Sequence, residues 1–301
     1  MTDETYAHDP DCNAEHTAGP EPCPPPRDAP DMAGAVALAY VHSNEVAYSW
    51  HHSLVELMGW DFANHGRVVR GGFVAIRYGT DGLVEARNKA VAIFLREKQA
   101  EWLFWLDTDM GFAADALDRL IAVADPVERP IVGGLCFSQR EHTSDDMGGW
   151  RCTATPTVFD WAHIDEQMGF AVRWEYPDNT AIRVAGTGSA CILIHRSVFE
   201  RIEEKFGPVW YDRVPNPSTG QVVSEDLAFC MRAGTLDIPV HVHTGVKTSH
   251  QKALWLAEDD YLRQRALDKA IKADLARAEK TSGSKPPPDT SWVQTTERKH
   301  T

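Results

Sequence analysis

Apolar runs of strand length alternate along the chain with segments whose apolar residues recur every three or four positions, the pattern of a sheet with crossover helices. Val36 to His42 reads as the first strand. From Leu83 to Lys98, the residues Leu83, Ala86, Ala90, Val91 and Phe94 share one helical face while Glu85, Lys89 and Lys98 fall largely outside it, so a helix is predicted. Trp102-Leu103-Phe104-Trp105-Leu106 is apolar without interruption, as a strand covered on both faces should be, and stops abruptly at Asp107. Ala114 to Ala124 is then predicted helical and Ile131 to Phe137 extended. Short strands are expected at Pro156 to Trp161, Phe170 to Tyr176, Ile182 to Ala185, Ala190 to His195 and Ile238 to Val242, which makes the second half richer in antiparallel candidates. Ser197 to Phe206 forms a helix closed by Gly207 and Pro208, and Asp226 to Ala233 another, with Ser224 placed to cap its start. Leu254 to Lys280 reads as a long charged helix. Together these elements predict one α/β domain over residues 35 to 255, built on a mixed, mostly parallel sheet with helices on both faces and followed by a C-terminal helix at 256 to 280.

The ends of the chain lack such patterns. Residues 1 to 34 hold seven prolines, eight acids and the single base Arg27, too little apolar surface to offset the entropy of ordering. This segment is expected to be a disordered acidic tail. Residues 281 to 301, with three successive prolines, are expected to be a second one.

Charge changes the picture in one respect. The formal charge of −14 stays negative after the tail is set aside, which disfavours duplex nucleic acid as a partner because phosphate neutralisation needs a basic surface. No run reaches the roughly 18 apolar residues of a membrane span, and the acidic start is unlike a secretory signal, so a cytoplasmic protein is expected with no membrane partner. The six cysteines are scattered without a C-x-x-C pair and are expected to be reduced.

Candidate chemistry begins at Asp107-Thr108-Asp109. Carboxylates two residues apart beyond a buried strand would point to one side, and two such anions are costly without a cation. Hard divalent ions such as Mn²⁺ or Mg²⁺ take oxygen ligands and bridge to phosphates, although strand ends also favour Asp as a turn residue. Glu225-Asp226 opens a helix, where acids are common for reasons of the helix dipole alone; a carboxylate there also suits a general base. His241, His243 and His250 follow, each able to ligate a metal, the first two equally able to be surface residues. Gly186-Thr187-Gly188 permits either a close approach of backbone to ligand or a tight turn. His8, Cys12, His16 and Cys23 are spaced too irregularly to suggest zinc.

The run Trp102 to Met110, with its D-x-D, resembles the corresponding strand and motif of GT-A glycosyltransferases. Ala86-Arg87-Asn88 is similar to an A-R-N element upstream of it in that group, and Glu225-Asp226 resembles its E-D motif. The likeness extends over residues 35 to 252 and implies a GT-A-like fold. It further implies that Asp109 and His250 bind the metal, that Asp107 contacts metal or ribose, and that Arg87 and Asn88 approach the nucleotide. Gly188 would lie beneath the sugar, and Asp226, beside Glu225, would act as base in an inverting hexosyl transfer. The implied donor is a nucleoside diphosphate sugar, a UDP-sugar first among them. The implied acceptor is a hydroxyl of a glycan, a protein or a modified base, as in small enzymes of bacteria and phages. A metal-dependent nucleotidyltransferase and a non-catalytic nucleotide-sugar-binding module share many of these features; the identity of the released product separates the first, and the absence of donor turnover the second.

Overall fold

The computed structural model describes residues 32–80, 82–143, 150–164, 167–215, 222–252 and 258–282. Residues 1–31 and 283–301, with the expected disorder of both tails and the dismissed His8, Cys12, His16 and Cys23 set, lie outside the described residues. In chain order, β1 (Val36–His42), α1 (Tyr48–Asn64), α2 (Arg67–Gly71), β2 (Phe73–Arg77), α3 (Gly82–Glu97) and β3 (Trp102–Leu106) precede β4 (Met110–Gly111), α4 (Ala116–Ile121) and β5 (Ile131–Leu135). Next come β6 (Phe137–Thr143), β7 (Trp150–Pro156), β8 (Val158–Ile164), β9 (Gln167–Val172), β10 (Ala181–Val184), β11 (Gly186–Thr187), β12 (Cys191–His195) and α5 (Arg196–Phe206). The order ends with β13 (Val214–Pro215), β14 (Val222–Val223), α6 (Glu225–Thr235), β15 (Val240–Lys247), β16 (Ser249–His250) and α7 (Glu258–Ser282).

The described residues fall into two compact units. The first, ending at Gln251 and omitting Gln139–Ala154, carries the α/β fold; the second contains those omitted residues and the chain from Lys252 onward. Helix α7 of the second unit keeps Tyr261, Leu262, Leu267 and Ile271 exposed.

Within the first unit seven strands pair in the order β10-β15-β5-β12-β3-β1-β2. Here the expectation of a mostly parallel sheet is corrected: β1/β2, β1/β3 and β5/β15 are parallel, whereas β12/β3, β12/β5 and β10/β15 are antiparallel. The cause is β12. The chain enters it at the carboxyl end of β3, where Asp107 N–H donates to Ala190 O at 2.9 Å, and so it runs back between β3 and β5. A strand buried on both faces has the same apolar sequence in either direction, so residues 191–195 carried no sign of this.

Alternation along β1 sends Ala37, Ala39 and Val41 to one core, shared with α3, α5 and α6 through Phe94, Phe199 and Phe229. Val36 and Leu38 go to the other, shared with α1, α2 and α4 through Trp50, Leu57, Val68 and Leu117. The sheet is therefore covered on both faces, as expected. Each large apolar side chain buried this way contributes about 1.5–3 kcal/mol. Close approach fixes one residue type: a Cβ on Gly71, at the end of α2, would lie 2.1 Å from the backbone oxygen of Val36.

Helices α1 and α2 and strand β2 had no counterpart in the sequence reading. Along α1 the buried positions are Trp50, Ser53, Leu57 and Asp61, while Val55 and Phe62 are exposed, so two polar residues interrupt the inner stripe and large apolar ones stand outside it. Asp61 is inward because its carboxylate accepts the backbone N–H groups of Arg67 (2.8 Å), Val68 (3.0 Å) and Val69 (3.2 Å) at the start of α2. The helix expected at Ala114 to Ala124 is shorter, and the strand expected from Ile131 ends at Leu135. The free thiols of Cys136, Cys191 and Cys230 are buried.

Candidate functional site

The site lies at the carboxyl end of β3. The strand stops at Leu106, and Met110 N–H donates to Asp107 O at 3.2 Å, so Asp107 to Asp109 form a turn. The same-side placement expected from strand alternation therefore does not apply. Asp107 turns to Arg87 and Asp109 to His250, though the two acids remain near enough for Asp109 to raise the proton affinity of Asp107.

His250 arrives by a short ladder. Strand β16 pairs with β4, matching Ser249 to Gly111 and His250 to Met110, and Gln251 N–H donates to Asp109 O at 2.8 Å. A Cβ on Gly111 would lie 2.5 Å from Ser249 Oγ, so the absence of a side chain there lets the strands meet. The imidazole then contacts Phe137 O through Nδ1 at 2.7 Å and Asp109 Oδ2 through Nε2 at 2.9 Å. A carbonyl oxygen only accepts, so Nδ1 carries a proton; Nε2 then either carries a second one, which it donates to the carboxylate, or offers a lone pair to a cation. Two acceptors at that distance need a proton or a cation between them.

Arg87, from α3, is 1% exposed and donates through one Nη to Asp107 Oδ1 at 3.0 Å and Oδ2 at 3.3 Å; the same nitrogen lies 3.8 Å from Asp226 Oδ1. Its guanidinium sits 5.3 Å from the ring centre of Trp105 and 5.6 Å from that of Tyr211. Burial opposes the Arg87 charge, but Asp107 and Asp226 outweigh that penalty and hold its pKa above the ordinary value. Burial raises the Asp107 carboxyl; Arg87 opposes the rise while Asp226 and Asp109 add to it. Arg87 Nε, its second Nη and Asp226 Oδ1 are buried without a hydrogen-bond partner among the described residues.

Asp226 stands in the first turn of α6, whose cap is Ser224 as the sequence suggested, its hydroxyl accepting from Leu227 N–H at 3.5 Å. Gly188 is adjacent: a Cβ built there would lie 3.8 Å from Asp226 Oδ2 and from Thr157, in ordinary contact, so the position has room for a methyl group. Two other candidates face elsewhere. Glu225 is buried and meets Arg213 Nε at 3.6 Å. Asn88 accepts from Trp210 N–H and Tyr211 N–H, both at 2.9 Å, and donates to Tyr211 O at 2.8 Å, so it clamps that segment. His243 is held within its strand, Nδ1 accepting from Gly245 N–H at 3.1 Å.

The clamped segment was missed from sequence. Tyr211 stacks on Phe229 at 4.9 Å and meets Trp105 edge-on at 6.1 Å, flooring the Arg87 pocket. An adjacent Trp210-Tyr211 pair outside any periodic run was the only signal for it.

Among the described residues no three His, Cys, Asp or Glu side chains group to hold a metal ion. The donor set nonetheless fits one. Asp109 with His250 offers one oxygen and one nitrogen, the imidazole oriented by a carbonyl on its far nitrogen, as metal-binding histidines are. Mg²⁺-like ions are commonly held by one or two carboxylates, with water and substrate phosphate completing the shell.

No family model and no curated protein matches the sequence. Among solved structures, A197 from STIV aligns at 15% identity and a TM-score of 0.37 over 73% of this chain and 86% of that one. GalNAc-T7, solved with UDP, GalNAc and Mn²⁺, aligns at 10% identity and a TM-score of 0.46 over 73% of this chain and 43% of that one. Likenesses at these levels assign no activity. No helix among the described residues is long and apolar enough to cross a membrane.

Proposed function

We propose that the chain is a divalent-metal-dependent glycosyltransferase that moves a sugar from a nucleoside diphosphate sugar to a hydroxyl group. The reading rests on one observation: Asp109 Oδ2 and His250 Nε2 face each other at 2.9 Å beside a second acid, Asp107. Asp109 and His250 would hold Mn²⁺ or Mg²⁺. Bound there, such an ion would neutralise the departing diphosphate.

The chain's own residues do the rest. Arg87 holds Asp107 in one orientation for contact with the ion or the donor ribose. Asp226, whose side chain is 22% exposed, accepts the proton of the acceptor hydroxyl as that oxygen bonds to the anomeric carbon. The bond from that carbon to the diphosphate oxygen breaks on the opposite side, inverting the configuration. Gly188 stands beside Asp226, where the sugar would lie, and Glu225 braces the loop through Arg213.

The test is a thermal-shift and hydrolysis screen of UDP-hexoses and other nucleoside diphosphate sugars, with and without Mn²⁺. A donor at about 100 times its Kd stabilises by roughly 2.7 kcal/mol. We expect that shift to need Mn²⁺ and to vanish in Asp109→Ala, with a nucleoside diphosphate released. An unchanged shift in Asp109→Ala, or pyrophosphate released from a nucleoside triphosphate, overturns the reading.

A further inference from the structure

A cavity of about 430 Å³ opens at the other end of the sheet, walled by Asp160, Trp161, Arg183, Asp237 and Gly234 over a floor that includes Val184 and Val240. Its volume lies in the range of small-molecule sites, roughly 300–1,000 Å³. It is separate from the Asp109–His250 pair: Val240 begins β15, and His250 lies beyond that strand's far end, roughly 20 Å away at about 3.3 Å per residue. Helix α6 spans the interval, with Asp226 in its first turn and Cys230 and Gly234 lining the cavity.

The walls define a ligand. Trp161 is 43% exposed, and Phe170 stacks on it at 4.5 Å with 27° between the planes. That stack holds the indole while leaving part of it to solvent as a flat apolar platform. Asp160 also lines the cavity, and its carboxylate is oriented by Arg173, whose Nε donates to Oδ2 at 2.7 Å while an Nη donates to Oδ1. Asp237 adds a second acceptor, and the exposed Arg183 a donor. The C-terminal turn of α6 brings the negative end of its dipole to the same cavity. Asp160 and Asp237 are balanced by Arg173 and Arg183, so the walls carry no net charge to reward a charged ligand, and the helix C-terminus disfavours phosphate. An uncharged ring with an apolar face for the indole and several hydroxyl groups to donate to carboxylates satisfies every wall.

We propose that this cavity is a second ligand site, and that it binds a neutral saccharide. The site is independent of the donor reading, because none of its walls belongs to the Asp109–His250 cluster.

The test is a saturation-transfer NMR titration with methyl hexosides and neutral disaccharides, in the absence of metal and nucleotide. Wild type is expected to bind at least one with a Kd on the order of millimolar, and Trp161→Ala to weaken it at least about tenfold, the effect of losing an aromatic anchor. Arg183→Ala, an exposed change that leaves the stack intact, should also weaken binding, and Asp109→Ala should not. The proposal is overturned if no saccharide saturates wild type, if Trp161→Ala and Arg183→Ala both bind as wild type does, or if Asp109→Ala abolishes binding. Failure of the donor screen together with intact saccharide binding would sink the glycosyltransferase reading and leave this one standing.

Discussion

Replacing Arg87 by methionine keeps an unbranched apolar stem over Trp105 and Tyr211 while removing the cation that faces Asp107 and Asp226. Removing one partner of a buried ion pair costs roughly 3–5 kcal/mol. The Arg87 side chain is 1% exposed but that of Asp107 is 28% exposed, so water screens part of the loss and the lower end, about 3 kcal/mol, is expected. For a unit of this size that corresponds to a drop in Tm of about 6–12 °C. The pH dependence makes the prediction specific. Asp107 already has a folded pKa above its unfolded value, so its contribution to stability is fully present below the unfolded pKa and is lost as pH rises through the folded one. Without Arg87 the folded value rises further. The variant's deficit should therefore be small in acid, where the carboxyl is protonated, and grow toward neutrality. Urea unfolding of both proteins at acid and neutral pH measures this, and Asp107→Asn in the Arg87→Met background should recover part of the loss at neutral pH. A deficit under about 1 kcal/mol, the scale of an exposed pair, would refute the buried-pair argument, as would one that is equal at both pH values.

Asp226→Asn should lower transfer by about 10²–10⁴-fold with Mn²⁺-dependent donor binding retained, as measured by product formation against thermal shift; unimpaired turnover would remove Asp226 as the base. Gly71→Ala should cost at least about 3 kcal/mol in chemical denaturation, the top of the usual overpacking range, because the clash is with the backbone of β1. Gly59→Ala, inside α1 with nothing within 4 Å of the new methyl, should instead stabilise by about 0.5–1 kcal/mol. Equal effects of the two glycine substitutions would contradict the packing described for α2.

Elements announced by one dominant pattern were legible in the sequence. Strand β3 was delimited to the residue because five apolar positions end at a charge, and α3 because its buried Ala86, Ala90, Val91 and Phe94 keep helical spacing. Helix α1 was not legible, because its inner stripe includes Ser53, which donates nothing to hydrophobic periodicity yet accepts Phe112 N–H at 3.0 Å. The direction of β12 was hidden for a different reason, since burial on both faces erases alternation. In the site, the association of Asp107, Asp109, Asp226 and His250 could be suspected from motif and order. The pairing of Arg87 with Asp107 and the service of Asn88 to Trp210 and Tyr211 could not, because partners 20 and more than 120 residues apart leave no mark on local spacing.

The ladder that delivers His250 also sets a schedule for synthesis. Asp109 and its imidazole partner are 141 residues apart, and a ribosome working at about 5–20 residues per second needs roughly 7–28 s to travel between them. Throughout that interval a nascent chain holds the acidic turn without its imidazole partner. A chain arrested or cleaved ahead of Ser249 would keep every strand of the seven-stranded sheet and still lack His250, so the contact with Asp109 is completed only by the last few residues of the unit to be made.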